Sequence, residues 1–239
     1  MTTDRETFGN GRQYGRELAR IKKNHVARYR WVVPQLLVGA KVLDAGCGIG
    51  YGSHILSTKA ELVLGVDFSP EVIEYATEHW QRNSRTLFEA QELHCVDLPP
   101  NERWTDIVAF EVLEHLVCPE LFLAKVWERG RVLFGSVPNA EVAAYRLEEN
   151  PFHIRHYSRA SLEKMLNVCG YSLTSIHKQA LGNVVNLDAP DPARQWVFTA
   201  NANRKPADDL VANLNHGILH RFTRELDKRN QLIAKLRSK

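Results

Sequence analysis

The chain has 239 residues, 44% hydrophobic and 25% charged, enough for one α/β core with extensions, and its net charge of +3 is too mild to demand a nucleic-acid partner. No apolar stretch reaches the roughly 18 residues of a membrane helix, and the polar N-terminus lacks a signal-peptide pattern. The four cysteines (Cys47, Cys95, Cys118, Cys169) are far apart with no C-x-x-C pair, which argues against a disulfide framework or zinc site and predicts reduced thiols in the cytoplasm.

Residues 1–15 are polar and glycine-containing. Glu17 to Val33 reads as a helix that carries His25-Val26-Ala27-Arg28-Tyr29. A guanidinium matches a carboxylate bidentately, so Arg28 suits an anionic ligand group, with Tyr14 or Tyr29 placed to cover it. A solvated basic face made of Arg20, Lys22, Lys23, Arg28 and Arg30 explains the same residues, and both readings stay open.

Lys41 to Asp44 reads as a buried strand that breaks into Ala45-Gly46-Cys47-Gly48-Ile49-Gly50 and opens a helix. Glycines at 46, 48 and 50 permit positive φ and close approach of a ligand. Free N–H groups at a helix start attract a nucleotide-type ligand. The dinucleotide spacing G-x-G-x-x-G is not met, because the third glycine comes one residue early, and counting from Gly48 places Ser53 where glycine belongs. Asp44 would repel a pyrophosphate but attract an ammonium or sulfonium group.

Glu61 to Phe68 is an apolar strand ending in an acid, and Ser69-Pro70-Glu71 starts a helix with an N-cap, a proline at the first position and an acid for the dipole. Asp67 lies about 20 residues past the glycine turn, where an acid accepts hydrogen bonds from ribose hydroxyls. Glu92 to Leu98 reads as the third strand and Trp104 to Phe110 as the fourth, followed by Glu111-Val112-Leu113-Glu114-His115-Leu116. A helix over Pro119 to Gly130 leads to a fifth strand, Arg131 to Asn139. Ser158 caps a helix that runs to about Val168 and ends at Gly170, and Tyr171 to His177 and Gln195 to Ala200 complete the strands. The alternation predicts a doubly wound, mostly parallel, seven-stranded α/β sheet over residues 37–203. Residues 1–36 form an N-terminal helical extension or lid. Residues 204–239 read as one long C-terminal helix, a device for packing or homodimer assembly.

The D-x-G-x-G-x-G form with the acid at Asp67 resembles motifs of the class I S-adenosylmethionine (SAM)-dependent methyltransferases. Glu111 to Leu116 is similar to the E-x-x-E-H-L segment of the branch that includes ubiquinone-biosynthesis O-methyltransferases. The resemblance implies a Rossmann-like methyltransferase fold, with the last strand antiparallel near one edge, and SAM as cofactor. It implies a cofactor set of Asp44, Gly46, Cys47, Gly48, Gly50, Asp67, Phe68, Asp97, Leu98 and Glu111. In that set Asp97 meets the adenine amino group and Leu98 gives a backbone N–H to the ring. An H-x-x-R-Y segment precedes the glycine motif in similar enzymes, which adds Arg28, against the methionine carboxylate, and Tyr29. No N/D-P-P-Y/F motif follows the fourth strand, where Phe110-Glu111-Val112-Leu113 stands, so N-methylation of DNA bases is disfavoured.

A sulfonium is already an activated methyl donor, so the protein must align a nucleophile and, for oxygen, remove its proton. As a helix, Glu111, Glu114 and His115 would share one face at i, i+3, i+4 beyond a strand's carboxyl end. Phe152-His153-Ile154-Arg155-His156-Tyr157 follows strand five. In one reading His115 is a general base oriented by a carboxylate such as Glu114, with His153 and His156 at the acceptor. In a second, Glu111, Glu114, His115 and His153 resemble the four metal ligands of small-RNA 3′-terminal 2′-O-methyltransferases. In a third they brace the chain. The expected catalytic set is His115, Glu114, His153 and His156, with no residue assigned to a metal. The expected reaction is O-methylation of a small-molecule or sugar-containing acceptor. Action on RNA is the alternative but not the favoured one, and a silent SAM-binding partner is the third.

Overall fold

Leu43 and Val42 point to opposite faces of strand β1 (Lys41–Ala45), and both are fully buried. A strand covered on both faces belongs in the middle of a helix-sheathed sheet. In a computed structural model, which describes residues 15–99, 103–127, 129–146, 150, 152–180, 182–189 and 193–206, β1 occupies that position. The other strands are β2 (Leu62–Asp67), β3 (Thr86–Ala90), β4 (Asp106–Phe110), β5 (Val132–Pro138), β6 (Tyr171–Ala180), β7 (Asn183–Val185) and β8 (Gln195–Ala202). Their order is β3-β2-β1-β4-β5-β8-β6-β7.

The first five strands pair in parallel, with Leu43 opposite Leu64 on one side and Ile107 on the other. β8 inserts antiparallel between β5 and β6, as expected for the last strand. Gly135 sits opposite Phe198, whose ring occupies the space a Cβ at 135 would need. The sheet has eight strands among the described residues where seven were expected. The addition is β7, which folds back on β6 through a turn at Gly182 (φ +82°).

Helices α1 (Lys23–Val32), α2 (Tyr51–Leu56) and α3 (Pro70–Trp80) cover one face, and α4 (Pro119–Trp127) and α5 (Arg159–Val168) the other. Val42, Val63, Val108 and Phe134 pack with Tyr29, Val32, Leu56 and Trp80. Leu43, Leu64, Ile107 and Leu133 pack with Phe122, Leu123, Leu162 and Leu166. Ser158 caps α5 through the Ser161 amide at 3.2 Å, and Gly170 ends the turn beyond it at φ +84°.

Three local expectations are corrected. The third strand is Thr86–Ala90, not Glu92 to Leu98, because Asp67 at the end of β2 pairs with Ala90 and the sheet stops there. Residues 93–95 make a 3-10 turn instead, and Leu93, Val96 and Leu98 still reach the core from it. The N-terminal helix begins at Lys23, since Ile21 is extended (ψ 141°) after a 3-10 turn at Leu18–Arg20. Glu111 to His115 is not helical, as described below. The C-terminal helix expected over 206–239 lies outside the described residues, and so does Tyr14. No helix of the described residues is long and apolar enough to cross a membrane.

Candidate functional site

The glycine turn leaves β1 at the carboxyl edge of the sheet. The amides of Gly46 and Cys47 both donate to Val66 O (2.7 and 3.0 Å), which ties the turn to β2. Gly46 (φ +69°) lies against the next loop: a Cβ there would meet Val112 Cγ2 at 2.5 Å. Gly48 (φ +54°) has nothing within 4 Å of a Cβ position, so it is bare backbone facing open space. That is the local form needed for close approach of a nucleoside. Gly50 precedes α2 and packs against Phe88 and Ala76. Cys47 is buried at the turn and contributes shape.

Asp67, 5% exposed, uses Oδ2 to accept from the Gly48 amide (3.1 Å) and Oδ1 to accept from the Ser69 amide (3.1 Å). These two bonds orient the carboxylate at the glycine turn. Phe68 beside it is 58% exposed at the same edge. Asp97 is exposed, and its backbone exchanges hydrogen bonds with the Gln91 side chain, which holds Asp97 and the buried Leu98 near the end of β3.

Helix α1 brings Arg28 and Tyr29 beneath this edge. The Tyr29 hydroxyl donates to Asp44 Oδ1 at 3.0 Å, and its ring fills the space over Gly52. Tyr29 is therefore a buried brace of β1 and α2, not a cover. Ser53 Oγ donates to Asp44 Oδ2 at 2.6 Å. Burial pushes the Asp44 carboxyl up to about 7, against the two hydrogen bonds that favour its charged form. His25 Nδ1 lies 3.1 Å from the Tyr51 hydroxyl, and burial, with Arg28 nearby, lowers His25 to about 4.

Arg28 is 3% exposed, so it is no solvated basic face. Its Nη1 donates to Gln179 Oε1 (2.7 Å) and lies 3.5 Å from Glu111 Oε1, while its Nε is buried with no hydrogen-bond partner. The guanidinium lies over the Phe110 ring at 5.8 Å. An unmet donor on a buried guanidinium near this edge fits an anionic ligand group.

Glu111 is the one described non-glycine residue with positive φ (+56°). It leaves β4 in a left-handed turn, its amide within reach of Ser136 O (3.0 Å) and Oγ (3.1 Å), and its Oε1 accepts from Ser136 Oγ (2.7 Å). The following residues form turns, with the His115 amide donating to Val112 O (2.9 Å). The expected shared helix face is thus absent: Glu111 faces Arg28 and Ser136.

Glu114 and His115 instead meet the loop after β5. The Ile154 amide donates to Glu114 O (2.8 Å), Arg155 Nη2 to Val117 O (2.7 Å) and the Tyr157 hydroxyl to Leu113 O (3.3 Å). This lacing groups Glu114, His115 and His153, with ligand atoms all within 4.8 Å of one another. Glu114 is fully buried, and neither of its side-chain oxygens has a hydrogen-bond partner. Burial first, and the charge of Glu111 second, hold its carboxyl well above the usual range. His115 Nδ1 is 2.9 Å from Phe152 O, so a backbone carbonyl helps to orient this ring. His153 Nδ1 meets His156 Nε2 (2.9 Å), and His156 Nδ1 meets Ala143 O (2.6 Å).

Residues that sequence reasoning missed are Gln179, Ser53, Ser136 and Tyr51. Gln179 and Ser136 sit in no motif, and Tyr51 and Ser53 had no role assigned beside the glycine turn; each is found by what it touches across the fold. The β-prone run Thr86-Leu87-Phe88 was the available signal for the true third strand.

The family profile described as "Methyltransferase domain" matches residues 12–176. A probable S-adenosylmethionine-dependent methyltransferase of Mycolicibacterium smegmatis is 28% identical over 162 residues, 64% of this chain and 61% of that protein. A ubiquinone biosynthesis O-methyltransferase of Coxiella burnetii is 30% identical over 123 residues, 49% of this chain and 52% of that protein. The chain thus spans between about half and three-fifths of the length of these relatives. The structure of magnesium protoporphyrin IX methyltransferase from Synechocystis with bound SAM shares the fold, with a TM-score of 0.57 at 19% identity, covering 83% of this chain and 89% of that one. With an open glycine turn over β1, an acid closing β2 and a profile match across most of its length, the chain belongs to the methyltransferase-domain family, within the class I SAM-dependent methyltransferases.

Proposed function

We propose that the protein methylates an oxygen of a small-molecule or sugar-containing acceptor. The observation that carries this reading is the contact of Gly46 with Val112: the loop holding Glu114 and His115 packs directly on the glycine turn that receives the cofactor. Bound SAM supplies an activated methyl group on sulfur. Gly48 admits the nucleoside, Asp67 offers a carboxylate to its ribose, and Phe68, Asp97 and Leu98 border the adenine side. Arg28 offers its unmet Nε to the carboxylate end.

The acceptor is bound at the group formed by Glu114, His115 and His153, which withdraws its hydroxyl proton. His156 orients His153. The four cysteines are free thiols, which supports the cytoplasm as the site of action. Residues 37–203 form the catalytic unit on this reading, 1–36 the extension that carries α1, and 204–239 a segment for self-association.

The test uses SAM carrying a labelled methyl group with purified protein and a panel of small hydroxylated and saccharide acceptors, with an RNA 3′ end alongside. Label should enter an ether of the former class. His115→Ala should leave SAM affinity unchanged in calorimetry and lower turnover by roughly 10²–10⁴-fold, the usual contribution of positioned proton transfer. Unchanged turnover removes His115 from the reaction, and label entering only RNA replaces the acceptor class.

A further inference from the structure

We propose that the amino edge of the sheet docks on an anionic lipid bilayer, with Leu37 and Val38 entering the boundary between headgroups and acyl chains. Leu36 is buried, while the next two residues stand out at 70% and 99% exposure. They ride on a tight turn that the Ala40 amide closes by donating to Leu37 O (3.2 Å), with Gly39 at φ +77°. The turn therefore presents two aliphatic side chains to solvent on hydrogen-bonded backbone just before β1. A single exposed apolar residue is ordinary on a protein surface. Two at one tip, inside a rim of cations, make an amphipathic contact surface.

The rim follows from strand register. Lys41 stands level with Leu62 on β2, and the Val63 amide donates to Arg85 O (2.7 Å), which puts Arg85 on the same row just before β3. On the other side the Thr105 amide donates to Lys41 O (2.8 Å), and the Arg131 amide to Thr105 O (3.0 Å). Arg85 and Arg131 thus flank the tip, each two strands from β1, and the row spans about 19 Å at the usual strand spacing. Lys59 comes closer still, its Nζ donating to Pro34 O (2.9 Å) at the base of the turn.

Lys59, Arg85, Arg103 and Arg131 are all exposed. One acid on this edge, Glu61, is paired with Lys41 at 3.9 Å. Asp44, Asp67 and Glu111 lie at the carboxyl ends of their strands instead. Charge is therefore separated along the strands, a polarity that the net charge of +3 conceals.

Charge and shape together choose the partner. Lys and Arg near an anionic leaflet are attracted within a Debye length, and an inserted apolar tip adds hydrophobic burial. Each alone holds a protein weakly, and the pair of signals holds it firmly. RNA offers the same negative charge, but its phosphates call for cations and hydrogen-bonding groups and its bases for aromatic platforms. Two aliphatic side chains at the centre of the rim serve neither, whereas a bilayer uses both parts of the surface. Docked this way, the chain keeps its glycine turn on the edge facing away from lipid. The surface stands apart from the cofactor edge, so its test is independent of the methyl-transfer reading.

The experiment floats the full chain with vesicles of phosphatidylcholine, with and without phosphatidylglycerol. The chain should rise only with the anionic vesicles and should detach as NaCl goes from about 0.1 M to about 1 M, where the screening length falls from about 10 to about 3 Å. Arg85→Ala and Arg131→Ala should each lower the partition coefficient about fivefold, the share of one cation near such a surface. Val38→Asp should lower it at least about tenfold, with far-UV spectrum, melting temperature and SAM affinity equal to the parent's. No flotation at low salt, equal flotation with neutral vesicles, or flotation untouched by Val38→Asp overturns the proposal. A single-stranded RNA oligonucleotide bound in filter assays while anionic vesicles are not also overturns it, in favour of a nucleic-acid surface. A change of oligomeric state in Val38→Asp with vesicle binding intact overturns it in favour of a contact between copies of the chain.

Discussion

Arg28 on α1 and Gln179 near the end of β6 meet through a 2.7 Å hydrogen bond although 151 residues separate them. The same amide uses Nε2 to donate to Asn24 O at 2.6 Å, one turn earlier on α1. One side chain therefore fixes both the guanidinium and the helix that carries it. Gln179→Leu should lower the unfolding free energy by about 1–3 kcal/mol, the range for a buried polar group left unmet. It should also weaken SAM binding by freeing Arg28 to turn. Urea denaturation and calorimetry measure the two effects; wild-type values in both would show that this clamp carries no weight.

Gly46 and Gly48 separate shape from ligand access. Ala at 46 meets Val112 at 2.5 Å and keeps an unfavourable φ, so Gly46→Ala should destabilise the fold and shift the 111–116 turn. Ala at 48 meets no protein atom, so Gly48→Ala should cost only the roughly 1–2 kcal/mol of left-handed strain. Its methyl group enters the cofactor's space, and SAM affinity should fall at least about tenfold, near 1.4 kcal/mol. Thermal melts beside calorimetry distinguish the two variants.

Asp67→Ala should weaken SAM binding by about 1–3 kcal/mol through lost ribose hydrogen bonds. It also strips acceptors from the Gly48 and Ser69 amides, so some stability is lost with it. Comparison of SAM with its 2′-deoxy analogue on the parent protein isolates the ribose contribution. Equal affinity for the two would remove Asp67 from that role.

Asp44 makes the protein pH-sensitive in a stated direction. Its carboxyl is raised to about 7 in the fold by burial, while an unfolded Asp stays near 3.8. The folded state therefore holds a proton that the unfolded state has released between about pH 4 and 7. Stability contributed by this group is present below about pH 4, declines across that window, and is flat above it, by at most about 4 kcal/mol. SAM is cationic and favours the ionised form, so its affinity should rise through the same window. Asp44→Asn should flatten both profiles, measured by denaturation and by calorimetry from pH 5 to 8.5. A parent profile without slope in SAM affinity would detach Asp44 from the cofactor.

The parts of the site that lie within one strand–turn–helix unit were legible in the sequence. The glycine turn and Asp67 needed only spacing, because adjacent parallel strands force their ends to the same edge. Glu111 to His115 was misread as a helix since i, i+3, i+4 spacing looks alike in a helix and in a chain of turns. Positive φ at Glu111 depends on Ser136, 25 residues on, which holds both its amide and its carboxylate. Arg28 and Tyr29 stood out in the sequence, yet whether they face ligand or core is decided by Gln179, Asp44 and Gly52, which no local pattern connects to α1. The third strand was misplaced because Glu92 to Leu98 alternates as a strand does, while the β2 register that ends at Asp67 and Ala90 is a tertiary fact.

The insertion of β8 between β5 and β6 has a bearing on biogenesis. Until Gln195–Ala202 leaves the ribosome, β5 has an unpaired edge and the β6–β7 hairpin has no neighbour to join. Sheet closure therefore waits for nearly the last of the described residues, a long-range event of the kind that slows folding and exposes sticky edges. A nascent chain stalled before residue 195 should engage chaperones or aggregate, whereas one released after 206 carries all eight described strands.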